Sequence, residues 1–253
     1  GGYHGKSTLL RALAGGVHDR PPGDGREYCV AVPSAVSVRA EDGRPVSGLD
    51  ISPFLSRLPG PGVNTARFST REASGSTSQA AAVMEALEAG TECLLVDEDV
   101  SAANFMSRDG RMRALIQDES ITPLLYRVNG LYDELGVSTV VVVGSVGDWL
   151  DVPHRVLCTD RYVAVDLTQK ARSVSETFSY GHVQYAGRGV VHRLLWNEAG
   201  SSRAPRTRAV RNAGAFGRPA LTEDRRRIVL SPSRAGAANQ DADAGVIDMG
   251  RCE

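Results

Sequence analysis

The chain opens on Gly1-Gly2-Tyr3-His4-Gly5-Lys6-Ser7-Thr8, and Thr8 to Ala14 follow with apolar residues at helical spacing. No other feature constrains the fold as much. The string is the end of the pattern G-x-x-x-x-G-K-[ST]. Its first glycine would stand one residue before Gly1, so the sequence reads as a fragment that begins inside its own motif. Glycines let backbone N–H groups turn inward on a phosphate, and a helix starting at Ser7 aims its positive end at the same place. Lys6 is expected to bridge the β- and γ-phosphates and Ser7 to hold Mg²⁺. Gly2, Gly5 and Thr8 complete the expected ATP cradle. Only Lys6 and Lys170 are lysine among 29 basic residues, and one of the two stands here.

A second motif supplies acids. Cys93-Leu94-Leu95-Val96-Asp97-Glu98-Asp99 is an apolar strand ending in carboxylates, the Walker B arrangement. Asp97 is expected to position Mg²⁺ and Glu98 to polarise the attacking water. Between the two motifs lies Glu72-Ala73-Ser74-Gly75-Ser76-Thr77-Ser78-Gln79, ahead of a helix that leads into the acidic strand. A Ser-Gly pair capping such a helix has the layout of the ABC signature. There the helix start of one ATPase unit caps the γ-phosphate bound by another, so Ser74 and Gly75 are candidates to touch nucleotide in a facing site. Ser101-Ala102-Ala103-Asn104 stands where a D-loop is expected. No guanine-specific N-K-x-D occurs.

Residues 1–170 alternate between strand and helix patterns. Strands are expected within Cys29–Val38, at Leu94–Val96 and at Val137–Val143, the last nearly continuous and β-branched, as in a parallel strand covered on both faces. Gln79–Leu87 reads as a helix stopped by Gly90, Pro59–Gly62 as a loop, and Val156–Cys158 with Tyr162–Val165 as a hairpin. The expectation is an α/β fold with a mainly parallel sheet and helices on both faces. Residues 1–170 carry a net charge of -6 and residues 171–253 a net of +5. Residues 198–245 are poor in apolar side chains and read as a mostly disordered, basic extension, with Ile228–Leu230 and Val246–Ile247 as apolar islands that could dock on the body. Nine arginines between Arg203 and Arg234, against Glu223 and Asp224, suit a phosphate backbone as well as they suit a solvated insertion. The strongest aliphatic run, Val140–Val143, is far short of a membrane span. The four cysteines lie far apart, which argues against a zinc ribbon or a disulfide scaffold and for a reducing, intracellular setting.

The strings GGYHGKSTLLRAL, VRAEDGRPV, DISPF, FSTREASGSTSQAAAVMEALEAG, LLVDED, NFMSRDGRM, ITPLLYRVNGLY and GVSTVVVVGSVGDWLDV together resemble one family. It is the ABC-class ATPase family with bacterial members and a trypanosomatid mitochondrial RNA-editing accessory ATPase. The resemblance runs from Gly1 to about Thr168. It implies an ABC-type P-loop core with a short helical signature segment, ATP and Mg²⁺ as ligands, ATP hydrolysis, a dimer or an intramolecular partner half, RNA bound outside the core, and a mitochondrial location (cytoplasmic for the bacterial type). The chain departs from the general ABC pattern in three ways. No glutamine precedes Gln79, so Asp50 or Ser52 would take the Q-loop role. Ser76 stands where a second signature glycine is usual. Gly144-Ser145-Val146-Gly147-Asp148 follows the valine strand with no switch histidine, which leaves Ser145 or Asp148 to sense the γ-phosphate. The opposed reading is a nucleotide-gated binding or scaffold module with little hydrolysis. A transporter ATPase is disfavoured by the missing Q-loop glutamine.

Overall fold

The computed structural model describes residues 4–56, 58, 63–116, 119–178, 227–229 and 246–248. The chain divides into two compact units, Gly1–Thr207 and Arg208–Glu253. The expected loop at Pro59–Gly62 lies outside the described residues, as does Gly2.

In the first unit the chain runs α1 (Lys6–Gly15), β1 (Ala35–Val38), β2 (Arg44–Leu49), β3 (Phe68–Ala73), α2 (Gly75–Glu88), β4 (Cys93–Asp97), α3 (Ala103–Met106), α4 (Gly110–Leu115), α5 (Val128–Leu135), β5 (Ser138–Val142), β6 (Leu157–Asp160), β7 (Val163–Asp166) and α6 (Thr168–Thr177). Strands β1, β4 and β5 form a parallel sheet in that order. The register places Val38 beside Val96 and Asp97 beside Val142, so the carboxyl ends of the three strands meet at one edge. Helix α1 packs on all three strands, α2 on β1 and on the β2–β3 pair, and α5 on β5. The expected α/β fold with a parallel sheet is the observed one.

Burial follows position in the sheet. Leu94, Leu95 and Val96 of the middle strand are at most 3% exposed, because both faces and both edges of β4 are covered. Strand β5 differs from expectation. Among the described residues it pairs with β4 alone, and Val140 is 37% exposed. Its valine run therefore does not lie buried on both faces. An apolar cavity of about 440 Å³ borders this strand, lined by Leu9, Leu13, Val140, Val142 and Leu157, and by Lys6.

The strand expected within Cys29–Val38 shortens to its last four residues. Pro33 has no N–H to give a ladder and sits in a turn with Ser34, and Val30 before it is exposed. The antiparallel β2–β3 pair is an addition that the sequence reading lacks. Its register slips twice, and Gly48 takes a φ of 60°, so the alternation that would announce a hairpin is broken. The β6–β7 hairpin forms as expected, with Leu157 opposite Asp166 and Asp160 opposite Val163. In the second unit the two apolar islands pair with each other, as antiparallel β8 (Arg227–Val229) and β9 (Val246–Asp248).

The core gathers Leu49 from the end of β2, Ile51, Phe54 and Leu55 from the segment after it, Met84 and Leu87 from α2, and Phe105 and Met106 from α3. Phe54 and Phe105 are fully buried, with ring centroids 5.2 Å apart and planes at 53°, a tilted pairing that aromatic quadrupoles favour. Buried Arg127 donates from Nε (3.1 Å) and Nη2 (2.8 Å) to the Pro53 carbonyl, fixing the same segment from the α5 side. Phe54→Ala removes this anchor and should lower stability by about 3–5 kcal/mol. Equilibrium urea denaturation checks the figure, and a loss under about 1 kcal/mol would mean that the site collapses around the gap.

Candidate functional site

The amino end of α1 is built on Gly5. Its φ of 95° is a left-handed conformation that L side chains rarely adopt, and its carbonyl accepts the Leu9 N–H at 2.9 Å. The helix starts at Lys6, so the N–H groups of its first turn have no partner inside the helix and their dipoles face the loop. The β6–β7 turn braces this loop. Arg161 N–H donates to His4 Nδ1 at 3.2 Å and Tyr162 N–H to the His4 carbonyl at 3.2 Å. Arg161 and Tyr162 both hold positive φ, 47° and 67°. The Tyr162 ring lies against Gly5, where an added Cβ would come within 2.6 Å of its Cδ1. The hairpin is legible in the sequence. Its contact with the opening loop, 157 residues away in the chain, carries no local signal.

Asp97 closes β4 and caps the short 3-10 turn Glu98–Val100, accepting the Asp99 N–H at 3.2 Å. Glu98, the next residue, reaches across to the loop after β5. Its Oε2 accepts the N–H of Gly144 at 2.5 Å and of Ser145 at 3.2 Å, and its Oε1 accepts the Ser145 hydroxyl. Lys6 converges on the same point. A Cβ added to Gly144 would sit 3.8 Å from Lys6 Nζ and 4.0 Å from Glu98 Oε2. The structure thus brings together Lys6 from the start of α1, Glu98 from the turn after β4 and Ser145 from the loop after β5. Asp148 is buried in the following 3-10 turn. Asp50 accepts hydrogen bonds from Ser52 N–H (2.9 Å) and Ser52 Oγ (2.6 Å), so these two Q-loop candidates are bonded to each other as a turn.

The donor set fits a nucleotide-bound Mg²⁺. Asp97 and Ser7 offer hard oxygen ligands, and α1, which carries Ser7, packs on β4, which carries Asp97. Among the described residues no three His, Cys, Asp or Glu side chains cluster as a metal cage. Mg²⁺ usually takes one or two protein oxygens and completes its shell with phosphates and water, so such a site suits a metal that arrives with its nucleotide.

Ser74 caps α2 and is exposed, while Ser76, Thr77, Ser78 and Gln79 behind it are buried. The Ser74 hydroxyl donates to Thr77 Oγ1 at 3.0 Å and makes no cap bond to backbone. A Cβ on Gly75 would lie 3.1 Å from Asp42 Oδ1 and 3.7 Å from the Ala102 Cβ. The absence of a side chain there lets α2 seat between the 40–42 loop and the segment after β4. Ser74 itself is left exposed at the start of the helix.

The electrostatics of Glu98 set its protonation state. Burial opposes its ionisation. The Ser145 hydroxyl, the N–H groups of Gly144 and Ser145, and the Lys6 charge together outweigh that, and hold its carboxyl below the usual glutamate range. The folded-state pKa is depressed, so this contact adds stability above the ordinary glutamate range and loses it as pH falls through the lowered value. A carboxylate titration followed by NMR should place Glu98 below a free glutamate, and Ser145→Ala should move its midpoint upward. An unmoved midpoint would mean that the hydroxyl does not hold the charge.

Comparison with known proteins agrees with this geometry. The P-loop domain of the ABC ATPase family matches residues 1–193. An uncharacterized protein of Methanocaldococcus jannaschii is 33% identical over 149 residues, which cover 58% of this chain and 32% of that relative. The chain thus spans about a third of the length of the curated relative it matches. Among the described residues no helix is long and apolar enough to cross a membrane. The matched span holds α1 with its glycine loop, the acidic strand end and the signature helix, and on it the chain belongs to the ABC ATPase family, with a nucleotide-binding P-loop domain.

Proposed function

We propose that the chain binds ATP with Mg²⁺ at the start of α1 and hydrolyses it with Glu98 as the residue that orients water. The observation that carries this reading is the convergence of Lys6, Glu98 and Ser145 on Gly144. Gly2, Gly5, Lys6, Ser7 and Thr8 form the phosphate cradle, and Ser7 and Asp97 are the protein ligands offered to the metal. Mg²⁺ would neutralise charge on the β- and γ-oxygens. Glu98 stays ionised, ready to accept a hydrogen bond from water. A lowered pKa makes it a weak base, which matters little here, because phosphoryl transfer depends on positioning and electrostatics more than on proton abstraction. Ser145, in the loop after β5, would report the γ-phosphate to Glu98 through its hydroxyl.

Ser74 and Gly75 are proposed to meet nucleotide held by a second copy or a partner half, since their helix is seated by its own chain while Ser74 is exposed and Gly75 half-buried at its start. The nine arginines of Arg203–Arg234 lie mainly outside the described residues. Their net charge of +7 over 32 residues supports coupling of the ATPase to RNA, by analogy with the RNA-editing member of the resembled family.

Lys6→Ala should abolish binding of a fluorescent ATP analogue to the full chain, because the charge that offsets phosphate repulsion is gone. Glu98→Gln should keep ATP affinity and slow single-turnover hydrolysis roughly 10²-fold or more. Wild-type binding without turnover would instead favour the nucleotide-gated scaffold.

Deleting residues 203–234 should flatten the salt dependence of RNA binding while ATP affinity stays within error, since counterion release scales with phosphate contacts. Binding isotherms at several salt concentrations read the slope. Equal slopes for intact and deleted proteins would remove RNA from the reading.

A further inference from the structure

Gln79 lies on the first turns of α2 and is completely buried. Its neighbours Ala80, Ala81 and Val83 are equally buried and apolar, so packing alone would be served by a leucine. A buried amide is costly unless both of its ends are bonded. Here both are. Nε2 donates to Ser101 Oγ at 2.8 Å, and Oε1 accepts the Ala102 N–H at 2.9 Å. Ser101 Oγ in turn donates to the Asp97 carbonyl at 2.6 Å, and Ser101 N–H donates to the Glu98 carbonyl at 3.2 Å. The short turn that carries both acids is therefore closed by Ser101, and Ser101 is held by Gln79. At its other end Gln79 belongs to the helix that begins at Gly75, itself seated against Asp42 and Ala102.

We propose that Gln79 is a positioning residue, which through Ser101 fixes the backbone of Asp97 and Glu98 and ties their placement to the seating of α2. The proposal rests on the ATPase reading above and adds how the acids are held to it. Contact at Ser74 on the outward end of α2 then bears on the metal and water residues of the same chain through one amide and one hydroxyl. Neither Gln79 nor Ser101 belongs to the phosphate cradle, so loss of this link should leave the ground-state grip of Lys6 and Ser7 intact.

The test uses the full chain with Gln79→Leu, which keeps bulk and loses both bonds, and with Ser101→Ala, a smaller change at a half-buried site. Groups that orient metal ligands typically contribute 10- to 100-fold to activity or metal affinity. In each variant ATP affinity should stay within about twofold, single-turnover hydrolysis should fall about tenfold or more, and Mn²⁺ affinity of the nucleotide-bound protein, read by electron paramagnetic resonance, should weaken about tenfold. The double variant should be no worse than the poorer single one, since both changes cut one chain of bonds. Wild-type turnover and Mn²⁺ affinity in Ser101→Ala would overturn the proposal, as would additive losses, or losses of ATP affinity equal to those of turnover. If Gln79→Leu does not fold, Ser101→Ala decides alone. A wild-type chain that neither binds nor hydrolyses ATP would overturn the ATPase reading and this proposal with it. An active wild type with unaffected variants would overturn this proposal only.

Discussion

Parallel pairing of β4 with β5, with Asp97 beside Val142, is the constraint on which the rest depends. Parallel strands end on the same edge. The acids that follow one strand and the glycine-serine turn that follows the other are delivered to one place, whatever lies between them in sequence. The carboxyl edge of an open parallel sheet is where α/β proteins place their ligands, and the start of α1 lies at that edge. Glu98 bonds the two strand ends to each other. Three hydrogen bonds from Gly144 and Ser145 hold its carboxylate ionised against the cost of partial burial. A slip of one residue between β4 and β5 would turn the valines of β5 to the other face and take Ser145 out of reach.

A second dependence runs from α2. The helix is seated by a glycine, Gly75, that admits the 40–42 loop and Ala102 to close range. Ser78 Oγ receives the Glu41 N–H at 2.9 Å, and Gln79 holds the segment behind the acids. Its buried polar first turn is thus spent on contacts within the chain, and Ser74 is left outside. Under the proposed function, that division turns the acidic strand end toward the chain's own nucleotide and leaves Ser74 for a second surface.

Much of this was legible in the sequence. The helix start after Gly5, the acidic strand end and the Ser-Gly helix start are each local patterns, and α1 starts, β4 ends and α2 starts where those patterns predict. Other parts were not legible, for physical reasons. The β2–β3 pair has a proline, a left-handed glycine and two register slips, so no alternation survives to be read. The valine run of β5 looks like a strand covered on both faces, yet burial depends on neighbours that a local pattern cannot count. Pro33 cut a strand that the valines on either side of it had suggested. Ser145 could be placed by its distance from the strand, but its bond to Glu98 joins residues 47 apart. Gln79 reads as an ordinary polar residue of a helix, and only the packed structure shows that its two partners are 22 and 23 residues away.

The most direct measurement is a structure of the full chain with Mg²⁺ and a non-hydrolysable ATP analogue. The account predicts the triphosphate at the amino end of α1, with Lys6 Nζ against the terminal phosphates, the metal between Ser7 and Asp97, and Glu98 facing the γ-phosphate. Nucleotide bound elsewhere on the chain, or held without contact to Lys6 and Asp97, would contradict it.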